Sequence, residues 1–166
     1  MDAARDDDGR ARVTELIRDA RICMLTTMDA EGRHVARPMG LQEAEFDGDL
    51  WFFTDGSSPK LDDIRLHPEV NVSFSDQRHA AWVSIAGRAE AVQDRAKAAE
   101  LWSTPLEAWF PDGLETPGLT LLRVRAETAE YWDAPGSRVT QLLAFAKAKA
   151  TGERPDIGEN RTVDLA

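Results

Sequence analysis

The segment from Phe53 to Lys60 carries the residue types that hold an anion. A predicted strand ends there, a loop with two hydroxyl groups follows, and a predicted helix begins with a lysine in its first turn. The first turn of a helix presents unpaired N–H groups and a partial positive charge, so it favours anions. Ser57, Ser58 and Lys60 add donors at the same end. The pattern predicts a phosphate site, with the alternative that Ser58 only caps the helix and Lys60 points to solvent.

Arg37 is a second candidate ligand for the same anion. It lies in the middle of a predicted strand that runs from His34 to Leu41, and a central arginine needs an anionic partner. One phosphate would serve both Arg37 and Lys60. The alternatives are that Arg37 faces water, or that it pairs with Glu43 or another acid.

Two of the five tryptophans end a predicted element and lead into loops that contain proline and glycine. Trp109 precedes Phe110-Pro111-Asp112-Gly113, and Trp132 precedes Asp133. A ring in such a place can flank a planar ligand, and it can equally fill a dimer interface. The remaining tryptophans fit a core, which is the usual place of large aromatic side chains; they are Trp51, Trp82 and Trp102.

Composition narrows the classes of protein. The net charge of −10 opposes binding to nucleic acid or to anionic membranes, both of which need a basic surface. The chain has no apolar run that approaches the ~18 residues of a membrane span, and we expect a cytoplasmic protein. Its single cysteine, Cys23, lies among apolar residues and is predicted to be a buried structural thiol. The three histidines are scattered, so no metal site is predicted.

The order of predicted elements is typical of an antiparallel sheet closed into a barrel or folded into a sandwich. Six or seven strands alternate with inserted helices, and Gly87 is predicted at a β-bulge. Pro38 interrupts a strand and belongs at an edge, at a bulge or beside a ligand. We expect a flexible acidic segment over 1–12, one domain over 13–152 that ends in a helix over 139–150, and a polar tail over 153–166.

Taken together, these segments resemble the pyridoxamine 5′-phosphate oxidase-like superfamily of FMN-binding split barrels. Within it the chain looks closest to the general stress protein 26 family. The resemblance covers nearly the whole chain from about Leu16, and it rests on the order and spacing of six short motifs. They are Ala36–Met39, Trp51–Thr54, Ser58–Lys60, Val83–Glu90, Trp109–Gly113 and Ala129–Trp132.

The resemblance implies a mainly β fold with flanking helices, built on a six-stranded antiparallel split barrel. It also implies a homodimer with FMN at its interface. Arg37, Pro38 and Met39 would then lie along the flavin. Phe53 and Thr54 would contact its ring or ribityl chain, and Ser58 and Lys60 would bind its phosphate. Trp132 matches a tryptophan that the partner subunit supplies in the oxidases of the family.

The stretch after Trp132 departs from the oxidases, which bind pyridoxamine phosphate there through a basic, histidine-rich sequence. Only Arg138 matches one member of that set, so we expect little pyridoxamine phosphate oxidase activity. The resemblance implies an FMN-dependent oxidoreductase with a small-molecule electron donor or acceptor. The alternatives are a flavin-binding module for storage or sensing, and a split barrel that uses FAD, the deazaflavin F420 or haem.

Overall fold

Over the residues that the structure describes, the fold is a seven-stranded antiparallel sheet against which helices pack. The computed structural model describes residues 3–18, 20–42, 46–133, 147, 149, 152 and 159–166. Two short 3₁₀ turns, Thr104–Ala108 and Gly113–Glu115, precede the sixth strand. The elements in chain order are α1 (Ala3–Arg18), β1 (Ile22–Met28), β2 (His34–Gly40), β3 (Asp49–Asp55), α2 (Pro59–Leu66), β4 (Glu69–Asp76), β5 (Ala81–Val92), α3 (Arg95–Leu101), β6 (Leu119–Asp133) and β7 (Glu159–Asp164).

The strands are arranged in the order β2-β1-β4-β5-β6-β3, and β7 also pairs with β6. The predicted mainly β, antiparallel class with flanking helices is confirmed. The structure has seven strands where the resemblance implied six. Among the described residues no ladder joins β2 to β3, and one hydrogen bond of 3.4 Å, from Gln42 N–H to Trp51 O, crosses that gap. Closure into a six-stranded split barrel therefore stays a prediction.

The sequence predicts two strands, over 119–126 and 128–132, and the structure joins them in the single strand β6. The register of β5 against β6 shifts at the predicted position, between Ala86 and Gly87, and leaves Glu127 as the extra residue. The interruption is therefore a bulge within one strand. At the same place β6 changes its second partner, because residues 119–125 pair with β3 and residues 128–133 pair with β7.

The main core lies between the inner face of the sheet and helices α1 and α2. Each strand contributes alternate residues, as Val70, Val72 and Phe74 do on β4. Cys23 belongs to this core with 2% exposure, and burial raises the pKa of its thiol to about 12. The predicted buried thiol is therefore confirmed. A second, smaller cluster forms around Phe53 under α3 and the 3₁₀ turns.

Both chain ends correct the sequence prediction. Helix α1 begins at Ala3, within the segment predicted to be flexible. It is held by tertiary packing, since Val13 and Ile17 are buried and a Cβ on Gly9 would meet Val163. The predicted polar tail contains β7, because Val163 and Leu165 point inward at 0% and 7% exposure.

The predictions for Trp82, for Pro38 and for a C-terminal helix have three different outcomes. Trp82 is 44% exposed on the outer face of β5, so its prediction as a core residue is wrong. Pro38 lies on β2, which is an edge strand within the described residues, as its missing N–H predicts. The predicted helix over 139–150 lies almost wholly outside the described residues. No helix in the described part of the chain is both long and apolar enough to span a bilayer.

Gly87 is required by a close backbone approach at the bulge. A Cβ there would lie 3.0 Å from the carbonyl carbon of Arg125 and closer still to its oxygen. We expect Gly87→Ala to lower the free energy of unfolding by about 2–3 kcal/mol, since the backbone must move to admit the methyl group. Urea unfolding measures the loss. Gly40→Ala on β2 is the matched control, because a Cβ there meets nothing within 4 Å; equal losses in the two variants would contradict the prediction.

Candidate anion-binding site

Lys60 folds back over the start of α2. Ser58 occupies the N-cap position in extended conformation (φ −64°, ψ 129°), as predicted, but its hydroxyl group makes no capping bond to the helix. Instead Ser58 Oγ accepts a hydrogen bond of 2.7 Å from Lys60 Nζ. The alternative in which Ser58 caps the helix and Lys60 points to solvent is therefore wrong, and the ammonium group stays at the helix N-terminus.

The ammonium group of Lys60 lies close to a second cation. Partial burial lowers the pKa of Lys60, and the positive charge of Arg37 lowers it further, while Asp55 acts in the opposite direction. A helix N-terminus adds its own partial positive charge at this point. Three sources of positive potential thus converge, which is the arrangement that an anion would stabilise.

Arg37 is held by a threonine and an aspartate. Its Nη1 donates to Thr27 Oγ1 at 2.9 Å, and Thr27 donates in turn to Asp63 Oδ2 at 3.1 Å. The direct distance from Arg37 Nη2 to Asp63 Oδ2 is 3.6 Å. The alternative that Arg37 pairs with an acid is therefore correct in part, and the acid is Asp63. Glu43, the acid named in advance, lies outside the described residues.

The loop before α2 uses its polar groups internally. Asp55 Oδ1 accepts from the backbone N–H of Ser57 at 2.7 Å and from its hydroxyl group at 2.6 Å. These two bonds lower the pKa of Asp55. Ser57 is exposed, and both its N–H and its hydroxyl group donate to Asp55, whose pKa the charge of Lys60 also lowers. Thr54 is buried at 4% exposure.

The remaining predicted residues divide between different surroundings. On β2, Arg37 and Met39 are half-buried and Pro38 between them is exposed, so the three alternate between two faces. The Met39 side chain packs against the main core. The Phe53 ring lies in the second cluster, with its centroid 5.5 Å from that of Trp102.

Neither candidate tryptophan joins this cluster of charges within one chain. Trp109 is 81% exposed at the end of a 3₁₀ turn. Trp132 is 37% exposed on the outer face of β6, beside Trp82 of β5. Arg37 pairs in register with the buried Leu25 and faces the α2 side of the sheet, at its β2 edge. Trp132 and Arg37 thus lie on opposite faces and on strands that are four places apart.

Thr27 and Asp63 were missed by the sequence reasoning. Thr27 is 1% exposed and continues the inward alternation of Cys23 and Leu25 on β1. A hydroxyl group at a core position is the signal that was available. Asp63 follows Lys60 by three residues, which puts both on one face of α2, but the sequence does not show that β1 and β2 meet this face.

The geometry fits a phosphate group. Arg37 is 24% exposed in its side chain and keeps donors beyond the one given to Thr27, since a guanidinium group has five. Among the described residues no carboxylate forms an ion pair with Lys60 Nζ. An arginine fork beside a lysine is a recurring way to bind a phosphate.

The family model described as pyridoxamine 5′-phosphate oxidase like matches residues 8–156. The chain is 30% identical over 153 residues to the protein bli-3 of Neurospora crassa, a match that covers 86% of this chain and 73% of that protein.

Two solved structures share both fold and sequence with the chain. A protein of Jannaschia sp. CCS1 named as a general stress protein 26 is 27% identical, with a TM-score of 0.77 and coverage of 95% of this chain and 99% of that one. The general stress FMN/FAD binding protein of Xanthomonas citri is 28% identical, with a TM-score of 0.68 and coverage of 79% and 92%.

Lys60 should destabilise the protein when no anion is bound. Its pKa in the folded state lies below the value of about 10.4 expected in the unfolded state. Wild-type stability therefore rises with pH between those two values, and at pH 7 the cost of the buried charge is fully present. We expect Lys60→Met to raise the free energy of unfolding of the apo-protein at pH 7, with the gain vanishing above about pH 10.4.

The matched control for this prediction is Lys97→Met in the first turn of α3. The pKa of Lys97 is raised by its hydrogen bond to Glu100, so the charge of Lys97 favours the folded state. Chemical unfolding of the three apo-proteins at pH 7 should place the Lys60 variant above wild type and the Lys97 variant at or below it. A Lys60 variant less stable than wild type would contradict the prediction.

Proposed function

Because the chain belongs to the pyridoxamine 5′-phosphate oxidase-like family, in its general stress protein 26 group, we propose that it is a cytoplasmic protein that binds FMN. The phosphate of the flavin would lie between Arg37 and Lys60. One observation carries this proposal: two cations share one corner of the fold, where burial and the charge of Arg37 both lower the pKa of Lys60. The relative from Xanthomonas citri is named for FMN or FAD binding, which supports the choice of ligand.

The cofactor would be completed by a second copy of the chain. Trp132 is on the wrong face to reach a flavin held by Arg37 of its own subunit, so a two-fold partner would supply it. The outer face of the sheet carries the exposed apolar side chains Ile22, Met24, Trp82 and Trp132, spread over β1, β5 and β6. Such a surface suits the interface of a homodimer, whose subunits would each form a six-stranded split barrel.

The flavin would supply the redox chemistry, and the chain would bind and orient it. The reaction would be an oxidoreduction with a small-molecule electron donor or acceptor. The buried Thr54 and Ser58 at the N-cap of α2 would lie beside the flavin near its phosphate, whereas Pro38 faces the opposite side of β2 from Arg37. Trp109, at 81% exposure, is a second ring available to cover a planar ligand.

A flavin-binding module without turnover is the second candidate, and the internal use of polar groups favours it. Ser57 is bonded to Asp55, and Thr27 to Asp63, so few polar groups are left to take part in a proton transfer. Reduction of the bound flavin by NADH or NADPH would favour the enzyme. Mass spectrometry of the cofactor released on denaturation distinguishes FMN from FAD, F420 and haem.

The phosphate contact gives the first quantitative test of FMN binding. A charge-assisted hydrogen bond contributes about 1.5–3 kcal/mol, and each ~1.4 kcal/mol is tenfold in affinity. We expect Lys60→Ala to raise the Kd for FMN by about 10- to 100-fold. The Kd for riboflavin, which has no phosphate, should change much less. Fluorescence titration of the apo-protein measures both constants.

Lys97→Ala is the matched control for this titration, because it removes the same charge from the first turn of a helix away from Arg37. It should leave both dissociation constants near their wild-type values. Equal FMN affinity in wild type and Lys60→Ala would show that Lys60 does not bind the phosphate.

Dimer formation is tested by light scattering, where we expect a mass of about twice 18.4 kDa. Trp82→Glu should produce a monomer, because it puts a charge into the proposed interface of a chain whose net charge is already −10. Leu66→Glu is the control, since Leu66 is also exposed, at 60%, but ends α2 away from that face. A wild-type monomer with full flavin occupancy would overturn the proposed dimer.

A further inference from the structure

We infer that Thr27 is a positioning residue of this site: its hydroxyl group keeps Arg37 and Asp63 apart, and so leaves the arginine free to bind an anion. The inference rests on the proposed function, because the anion is taken to be the phosphate of a flavin. It adds a residue that determines how strongly the site distinguishes a phosphorylated ligand from the same ligand without phosphate.

The hydroxyl group of Thr27 uses its one donor and one of its two acceptor positions. It accepts from Arg37 Nη1 at 2.9 Å and spends its one proton on Asp63 Oδ2 at 3.1 Å. Thr27 is 1% exposed, so water does not compete for its hydroxyl group, and the carboxylate of Asp63 sets the direction of the O–H bond. The lone pair that faces Arg37 is therefore fixed in direction, and it fixes the guanidinium group in turn.

The distance between Arg37 and Asp63 shows how the hydroxyl group of Thr27 affects their pairing. An arginine and a carboxylate that pair directly do so at about 2.7–2.9 Å, often through two parallel bonds. Arg37 Nη2 and Asp63 Oδ2 are 3.6 Å apart, which is too long for a hydrogen bond. Thr27 Oγ1 accepts a hydrogen bond from Arg37 Nη1 and donates one to Asp63 Oδ2. The carboxylate therefore anchors the network through Thr27 and forms an ion pair with Arg37 Nη2 without a direct hydrogen bond.

A purely structural role for the contacts of Arg37 with Thr27 and Asp63 does not explain why Lys60 lies beside them. If Asp63 served only to neutralise Arg37, a direct pair would be the more favourable arrangement, and a second cation beside it would add an unnecessary repulsion. Lys60 is nevertheless close enough for the charge of Arg37 to lower its pKa. The separation of Arg37 from Asp63 and the approach of Lys60 have one consequence in common: among the described residues, neither cation donates a hydrogen bond to a carboxylate.

Removal of the hydroxyl group should let the two charges meet. In Thr27→Val, a change that keeps the shape of the side chain, the guanidinium and carboxylate groups lose their intermediary and can pair directly. A phosphate must then displace the carboxylate. We expect the Kd for FMN to rise about tenfold, or ~1.4 kcal/mol, and the Kd for riboflavin to change less than about twofold.

Two further variants separate this role from general damage to the fold. Thr27→Ser keeps the hydroxyl group and should restore FMN affinity to within about threefold of wild type. The double variant Thr27→Val/Asp63→Asn removes the competing charge and should recover most of the affinity that Thr27→Val loses. If FMN affinity recovers when Asp63→Asn is added to Thr27→Val, the two positions are energetically coupled, and a double-mutant cycle measures that coupling. A packing defect at Thr27 would not be repaired by a change at Asp63.

The experiment is a fluorescence titration of each apo-protein with FMN and with riboflavin. The result is expressed as the Kd for riboflavin divided by the Kd for FMN. Wild type, Arg37→Ala, Thr27→Val, Thr27→Ser and the double variant are compared. A ratio that collapses in Arg37→Ala, falls about tenfold in Thr27→Val and recovers in the other two variants supports the inference.

The titrations distinguish failure of the proposed phosphate site from failure of the role inferred for Thr27. If wild type binds FMN no better than riboflavin, the proposed phosphate site is wrong and the inference falls with it. If wild type prefers FMN and Arg37→Ala abolishes the preference, but Thr27→Val leaves it unchanged, the proposed function stands and the inference is overturned. Equal weakening of FMN and riboflavin in Thr27→Val, or no recovery in the double variant, would also overturn the inference.

Discussion

The partly buried positive charge of Lys60, beside that of Arg37, is the constraint that the rest of the site accommodates. It persists because both groups are carried by elements that are fixed elsewhere: Leu61 and Ile64 anchor α2 in the main core at 1% and 3% exposure. Burial of one such side chain contributes about 1.5–3 kcal/mol, so the core can hold a lysine in a place where it is unfavourable. An unfavourable local interaction that a fold retains in this way commonly lies at a functional site.

The bulge on β6 connects this site to the proposed subunit interface. Because β6 changes partners at Glu127, its first half holds β3, which leads into the loop and helix of the proposed phosphate site. Its second half carries Trp132 on the outer face of the sheet. One strand thus sets the position of the anion site in its own subunit and of the tryptophan proposed for the partner. Gly87, which admits the bulge, therefore supports both halves of the proposed cofactor site.

The sequence predicted those parts of the protein that depend on local pattern. The alternation of Val70, Val72 and Phe74 with polar residues predicts β4, and Ser58-Pro59 predicts the start of α2 and with it the position of Lys60. The early turns of α1 and strand β7 were missed because tertiary packing stabilises them: the first carries a run of aspartates, and the second has Val163, with Leu165 just beyond its end, to place inward. Thr27 and Asp63 escaped for a related reason, since their bond joins a strand to a helix 36 residues later.

The net charge of −10 determines how such a site has to work. Long-range attraction cannot bring a phosphate to this protein, because the field of the whole chain repels anions. Affinity must come from short-range bonds, which depend on donors already in place. Asp63 is itself part of the negative charge, and a direct bond to Arg37 would remove the strongest donor. By accepting a hydrogen bond from Thr27 instead, the acid that opposes phosphate binding orients the group that performs it.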